Sequence, residues 1–304
     1  MATFEAGLVH TPITPFARDH GINYRMFGKV IEFHLANGAD ALALPMHAGE
    51  SVSLSDEEQR KLLEFAIKKV KGRVPVIAHA SDCGTAIAAD RARHAEQAGA
   101  AAIVATTPYY WTPPPGMLIE HLAAIGGAVR IPFYVYNSPE EMAGTRMTAD
   151  LALKLIDRLE NFAGIVDLSL DWQFMIELVD RARRVRPDFQ LLAGVEYVVS
   201  AAAIGATGVF APLAGIAPRL VRDLFDQCRQ DKLFEARKAQ EDVAALRQLV
   251  KKAVPAALKS AMRAMGRNVG AGRPPLQALA ARDRRQLTTA LGALAPLATE
   301  PRGW

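Results

Sequence analysis

Residues 74–105 read VPVIAHASDCGTAIAADRARHAEQAGAAAIVA. A short apolar run (74–79) leads through a turn into a segment with helical periodicity (85–97), then to Gly99 and a second apolar run (101–105). Two buried runs separated by one helix are the signature of a βα unit feeding a parallel sheet. Gly99 stands where the helix should stop, because glycine accepts the left-handed capping conformation without steric penalty.

The same rhythm extends in both directions. Further apolar runs at 8–13, 41–44, 133–136, 164–168, 190–192 and 208–211 bring the candidate strands to eight. Helical patterns fill the intervals at 24–36, 56–70, 117–127, 149–159, 172–184 and 197–204, and a last one covers 219–229. Ser55 before Asp56-Glu57-Glu58 is a helix start with acids in the first turn, and Thr148 before Ala149-Asp150 is similar. Gly38 and Gly205 repeat the stop signal of Gly99. Eight βα units closing on themselves predict a (β/α)8 TIM barrel over residues 1–229. A doubly wound sheet would want a glycine-rich phosphate loop after the first strand, and residues 10–16, HTPITPF, are not one. Helical stretches at 234–265 and 275–294 predict a C-terminal helical segment, 230–304, packed on the barrel.

Composition narrows the class of function. Half of the 304 residues are apolar, enough for a large core. Cys83 and Cys228 are the only cysteines, so neither a disulfide framework nor a structural zinc knuckle is expected. A net charge of +4 without an aromatic-interleaved basic stripe argues against nucleic acid. No apolar run of membrane-spanning length and no leader pattern is seen, so a cytoplasmic location is expected.

Barrel enzymes place their chemistry at the C-terminal ends of the strands. That rule selects Thr11 and Thr14; His47, Gly49 and Glu50; His79 and Asp82; Thr106, Thr107, Tyr109 and Tyr110; Tyr136 and Asn137; Val166, Asp167 and Ser169; Glu196; and Phe210. A tyrosine hydroxyl can donate and accept at one position, and histidine titrates near neutrality, so Tyr136 and His47 are candidate acid–base groups. His47 and His79, with Glu50 and Asp82 nearby in sequence, leave a metal-assisted reaction as an alternative, although no tight ligand spacing supports it.

Several of these segments resemble the dihydrodipicolinate synthase / N-acetylneuraminate lyase family over nearly the whole chain. They are VHTPITPF (9–16), MHAGE (46–50) in the place of GTTGE, TPYY (107–110), YNSP (136–139), GIVDLS (164–169) against GxKDxS, and GATGV (205–209). The resemblance implies a lyase acting on a small keto acid or related carboxylate, with no cofactor and no resident metal. It also implies a homo-oligomer, a dimer or tetramer, in which Tyr110 reaches across to a partner. By the same carry-over Tyr136, His47 and Tyr110 form the catalytic set. Ala48, Gly49, Glu50, Val166 and Phe210 contact the substrate.

The departures are as informative. Val166 stands where the family's lysine forms a Schiff base, and valine has no amine. His47 and Ala48 replace the threonine pair; alanine keeps the backbone amide and loses the hydroxyl. Glu140-Glu141-Met142 follows YNSP where the synthases carry an arginine, a change expected to disfavour a dicarboxylate. Phe210 is expected to fill the volume that the lysine left. The eleven lysines all fall in helical patterns or at their ends, and none at a predicted strand terminus. The expected chemistry is therefore a lyase reaction without an imine. A catalytically inactive ligand-binding or regulatory homologue is the alternative.

Overall fold

The eight apolar runs form eight parallel strands that follow one another in a closed barrel, β1 to β8. The computed structural model describes residues 4–142 and 144–304, except for the side chains of Glu141 and Met142. In chain order the first half comprises β1 (Leu8–His10), α1 (Tyr24–Ala36), β2 (Ala41–Leu44), α2 (Asp56–Val70), β3 (Val76–His79), α3 (Thr85–Ala98), β4 (Ala102–Thr106) and α4 (Pro115–Gly126). There follow β5 (Phe133–Asn137), α5 (Pro139–Met142), α6 (Ala149–Arg158), β6 (Phe162–Asp167), α7 (Trp172–Val185), β7 (Gln190–Ala193), α8 (Val198–Ala203), β8 (Gly208–Ala211) and α9 (Pro218–Arg229). The C-terminal segment adds α10 (Leu233–Val250), α11 (Ala256–Ala264) and α12 (Ala281–Ala293).

The local signals act as expected. Ser55 and Glu58 close a reciprocal capping box on α2, Thr148 caps α6 through the Leu151 amide, and Gly38, Gly99 and Gly205 adopt positive φ. Three expectations are corrected. The last helix begins at Ala281 rather than at 275. The first strand ends at His10 rather than at 13, because Pro12 has no amide to offer a ladder. The expected helix 234–265 is broken between Val250 and Ala256, where Pro255 disfavours helical backbone at the residue before it.

The chain divides into two compact units. The first contains residues 75–195 and 200–210, with the described residues 4–7. Here the register sets Thr106 opposite Tyr136, Tyr136 opposite Val166, and Val166 opposite Leu192. Four strand ends are thereby placed side by side. Towards the opposite ends of the strands, Phe162 packs between Phe133, tilted, and Phe189, edge-on, with ring centroids 5.9 and 5.4 Å away.

The second unit contains residues 8–74, 196–199 and 211–304, so α10–α12 belong to the same unit as β1, β2, α1 and α2. Its core encloses two histidines. His10 and His34 face each other with Nδ1 atoms 3.0 Å apart, so one ring donates and the other accepts. Burial holds both well below the ordinary histidine range, His34 at about 3, with the Arg267 charge adding to the effect on His34. A neutral buried histidine binds fewer protons than its unfolded counterpart below pH ~6.5, so stability is full above that pH and falls as pH drops towards 3. Unfolding titrations are expected to show about 2–3 kcal/mol lost at pH ~4.5 from His34 alone, with His34→Phe flattening the acid limb. An unchanged acid limb in that variant would remove the pair from the account.

Candidate active site

Tyr136, next to last in β5, has 5 % of its surface exposed, and Val166, its register partner on β6, is completely enclosed. The ring of Phe210 on β8 lies 6.2 Å from the ring of Tyr136, tilted by 47°. Leu168 presses on Gly194: a Cβ at 194 would fall 1.8 Å from Leu168 Cδ1, so only glycine fits beneath it. These strand ends thus present the Tyr136 phenol and the Thr106 hydroxyl among apolar side chains. The one lysine in this unit, Lys154, is exposed on α6.

The next residues of the two strands, Asn137 and Asp167, form a polar layer. Asp167 accepts from Asn137 Nδ2 at 2.5 Å and from the amide and hydroxyl of Ser169 at 3.1 and 2.8 Å. Burial raises its carboxyl to about 6 against these bonds. Asn137 in turn accepts from the Met147 amide at 3.1 Å. Asp167 therefore ties the ends of β5 and β6 to the segment that leads into α6, and acts by positioning. The same segment carries Arg146, which pairs with Glu140 and lies 3.8 Å from Asp171. Glu140 thus has Arg146 as a partner in an exposed ion pair; the side chains of Glu141 and Met142 lie outside the described residues. The sequence reading missed Arg146 because it sits ten residues beyond Tyr136.

Tyr110, after β4, is 80 % exposed and meets Trp111 edge-on at 5.1 Å. Two neighbouring exposed aromatic rings form an apolar surface of the kind that marks contact sites.

In the second unit, His47–Gly49 form one turn of 3-10 helix and Ser51–Ser53 another, with Glu50 in left-handed backbone between them. Thr14 Oγ1 donates to the Gly49 carbonyl at 2.6 Å, and a Cβ on residue 49 would approach the Pro12 carbonyl to 3.1 Å. The glycine lets this turn lie against the segment after β1. Ala48 is buried and His47 is part-exposed.

Glu50 differs from expectation. Its carboxylate is enclosed, 2.5 Å from Lys259 Nζ, and accepts from the Arg273 amide at 2.9 Å. Lys259 Nζ also donates to the Ala271 carbonyl at 3.0 Å and lies 4.6 Å from the Phe16 ring centre. Burial pulls its ammonium pKa down, and Glu50 opposes the fall. Glu50 is committed to an internal ion pair rather than free to bind substrate. A signal for this was present: Lys259 lies between the buried Leu258 and Met262 of α11, on an otherwise apolar face.

Among the described residues no group of three or more His, Cys, Asp or Glu side chains is arranged to hold a metal ion. The metal-assisted alternative thus gains no geometric support. Nor, among the described residues, is any helix long and apolar enough to cross a membrane.

A closed barrel of eight parallel strands separated by helices is a (β/α)8 TIM barrel, a fold that carries its sites at the strand C-termini. The chain belongs to the dihydrodipicolinate synthetase family, whose model matches residues 5–294. A 4-hydroxy-tetrahydrodipicolinate synthase of Thermoanaerobacter sp. (strain X514) is 30% identical over 281 residues, 92% of this chain and 93% of that protein. The crystal structure of a putative dihydrodipicolinate synthetase from Pseudomonas aeruginosa matches with a TM-score of 0.89 and 29% identity, covering 96% of this chain and 99% of the other. A prophage protein of the same family from E. coli K12, in complex with pyruvate, matches with a TM-score of 0.90 and 25% identity, covering 95% and 98%.

Proposed function

We propose that this protein is a carbon–carbon or carbon–oxygen lyase that acts on a small keto acid or related carboxylate without forming an imine. The enclosed Val166 beside Tyr136 carries the reading: the strand end that would present an amine presents a methyl surface. The pyruvate bound by the E. coli relative supports the substrate class. In this reading Tyr136 Oη donates to the substrate oxygen that gains charge as the bond breaks and takes the proton back as product forms. Its apolar surroundings strengthen that hydrogen bond. The family resemblance assigns His47 as the second acid–base candidate and Gly49 and the Ala48 amide as candidates for the carboxylate. The exposed Tyr110–Trp111 pair fits a contact between copies of the chain in a dimer or tetramer. Without an imine as electron sink, the reaction must be easier than an unactivated aldol cleavage.

Two measurements test the proposal. Borohydride reduction in the presence of pyruvate, read by intact mass, is expected to leave the protein mass unchanged; a stable adduct overturns the imine-free mechanism. On whichever keto acid or aryl carboxylate the protein turns over, Tyr136→Phe is expected to lower kcat by about 10²-fold. An unchanged kcat removes Tyr136 from the mechanism. Saturable binding of keto acids or aryl carboxylates without turnover replaces the enzyme with a ligand-binding homologue.

A further inference from the structure

The second unit contains a cavity of about 670 Å³ on the outer face of α1, bordered by α2 and Trp304. Two aromatic pairs wall it. Tyr24 and Phe65 lie 5.2 Å apart at one end, and Phe33 meets Trp304 edge-on at 6.3 Å at the other. Between them, in mid-helix, is Gly28.

Packing does not require this glycine. Its φ is not positive, and an added Cβ would meet Phe65 Cζ at 3.6 Å and Lys69 Cε at 3.7 Å, both ordinary contacts. Glycine inside a helix is unfavourable relative to alanine. Phe65 and Lys69 cover Gly28 from α2, and the bare backbone of the glycine forms part of the groove floor beside them.

The charges around the cavity are unbalanced. Arg25, Lys29 and Lys69 line the groove with one acidic side chain, Glu32, while Glu57, Glu58 and Glu64 act on Tyr24 at one end. Glu32 is already doubly engaged, 3.0 Å from Lys69 Nζ and 2.8 Å from Arg73, which together pull its carboxyl down to about 2. Among the described residues no carboxylate pairs with Arg25 or Lys29, and both are exposed at the rim. A mostly apolar, aromatic-walled cavity of this size with a few convergent charges has the general character of a small-molecule site. The charge excess selects the sign of the ligand.

We propose that this groove binds a small amphipathic anion, an aromatic or alicyclic ring system carrying one carboxylate, with its rings between the Tyr24–Phe65 and Phe33–Trp304 pairs and its carboxylate at Arg25 and Lys29. The site is independent of the Tyr136 strand ends, so it would bind such molecules whether or not they are substrates.

The test uses p-phenylbenzoate as the probe and the uncharged p-phenylbenzyl alcohol as its control, followed by calorimetry and by quenching of tryptophan fluorescence. The full-length protein is expected to bind one probe molecule per chain in the micromolar range, with the alcohol at least about tenfold weaker and added salt narrowing the difference. Gly28→Leu is expected to crowd the groove floor and weaken the probe at least about tenfold; because the added side chain also meets Phe65 and Lys69, its urea unfolding curve is recorded beside the binding, and the charge variant tests the site without this contact. The double variant Arg25→Glu/Lys29→Glu is expected to weaken the probe about tenfold and leave the alcohol unchanged. Tyr136→Phe should leave probe affinity unchanged. The proposal is overturned by absence of saturable binding up to about 1 mM, by equal affinity for probe and alcohol, by insensitivity to Gly28→Leu, or by sensitivity to Tyr136→Phe. It is also overturned if Gly28→Leu changes the mass in sedimentation equilibrium, which would make a second copy of the chain the occupant.

Discussion

Lys259→Met is expected to lower the unfolding free energy by about 3–5 kcal/mol, because it leaves the Glu50 carboxylate buried without its counter-ion. The pair lies in the interior of the second unit, its two side chains 3 % and 0 % exposed, with a separation of 2.5 Å. Attraction at that distance offsets the desolvation of both ions only while both are present. Glu50→Gln should destabilise similarly, by leaving the ammonium against the Phe16 ring and the Arg273 guanidinium, which is 4.6 Å from the same ring. The double variant Glu50→Gln/Lys259→Met should recover most of the loss, since neither charge then remains to be compensated. Urea unfolding of the four proteins measures the coupling. Single-variant losses below about 1 kcal/mol would show that water reaches the pair and that the ion pair is not structural.

Arg267→Met should be of similar size, about 3–5 kcal/mol. Arg267 is fully buried, and its guanidinium donates to the carbonyls of Gly215, Ile216, Pro301 and Gly303 at 3.2, 3.0, 2.6 and 3.3 Å. Its flat face lies 4.2 Å from the Phe33 ring centre. Methionine preserves much of the volume and none of the donors, so several carbonyls lose a charged partner. The same strap carries Glu300, whose carboxylate accepts from the Arg219 and Leu220 amides at the start of α9. Hydrogen exchange in residues 299–304 is expected to accelerate in Arg267→Met well before the barrel strands respond. Lysine at 267 should rescue poorly, because one ammonium cannot span carbonyls that a planar fork reaches together. Equal protection of the strap in variant and parent would show that Glu300 alone holds it.

The fold was legible because its signals are local. Period-two and period-3.6 patterning, the Ser55 and Thr148 starts, and the glycine stops each depend on residues within one turn or one strand of one another. Two of the errors arose where a local pattern was extended across proline, at 8–13 and at 234–265. In the candidate site, Tyr136, Val166 and Phe210 were found together because strand C-termini in a parallel barrel must be neighbours. Glu50 was misjudged because its partner is more than two hundred residues away, and Arg146 was missed because its pairing with Glu140 depends on the path of a loop.

The order of eight strands, the family and the absence of an amine at position 166 follow from residue identity and spacing, which sequence alone determines. Tertiary structure decided which charges are buried, which are cancelled and which remain available. Lys259 became half of an internal pair, Arg146 the counter-ion of Glu140, Arg267 a clamp on four carbonyls, and Gly28 the floor of a cavity. The physical reason is that periodicity specifies which face of an element turns inward, whereas electrostatic and packing energies depend on what arrives opposite that face from a distant part of the chain.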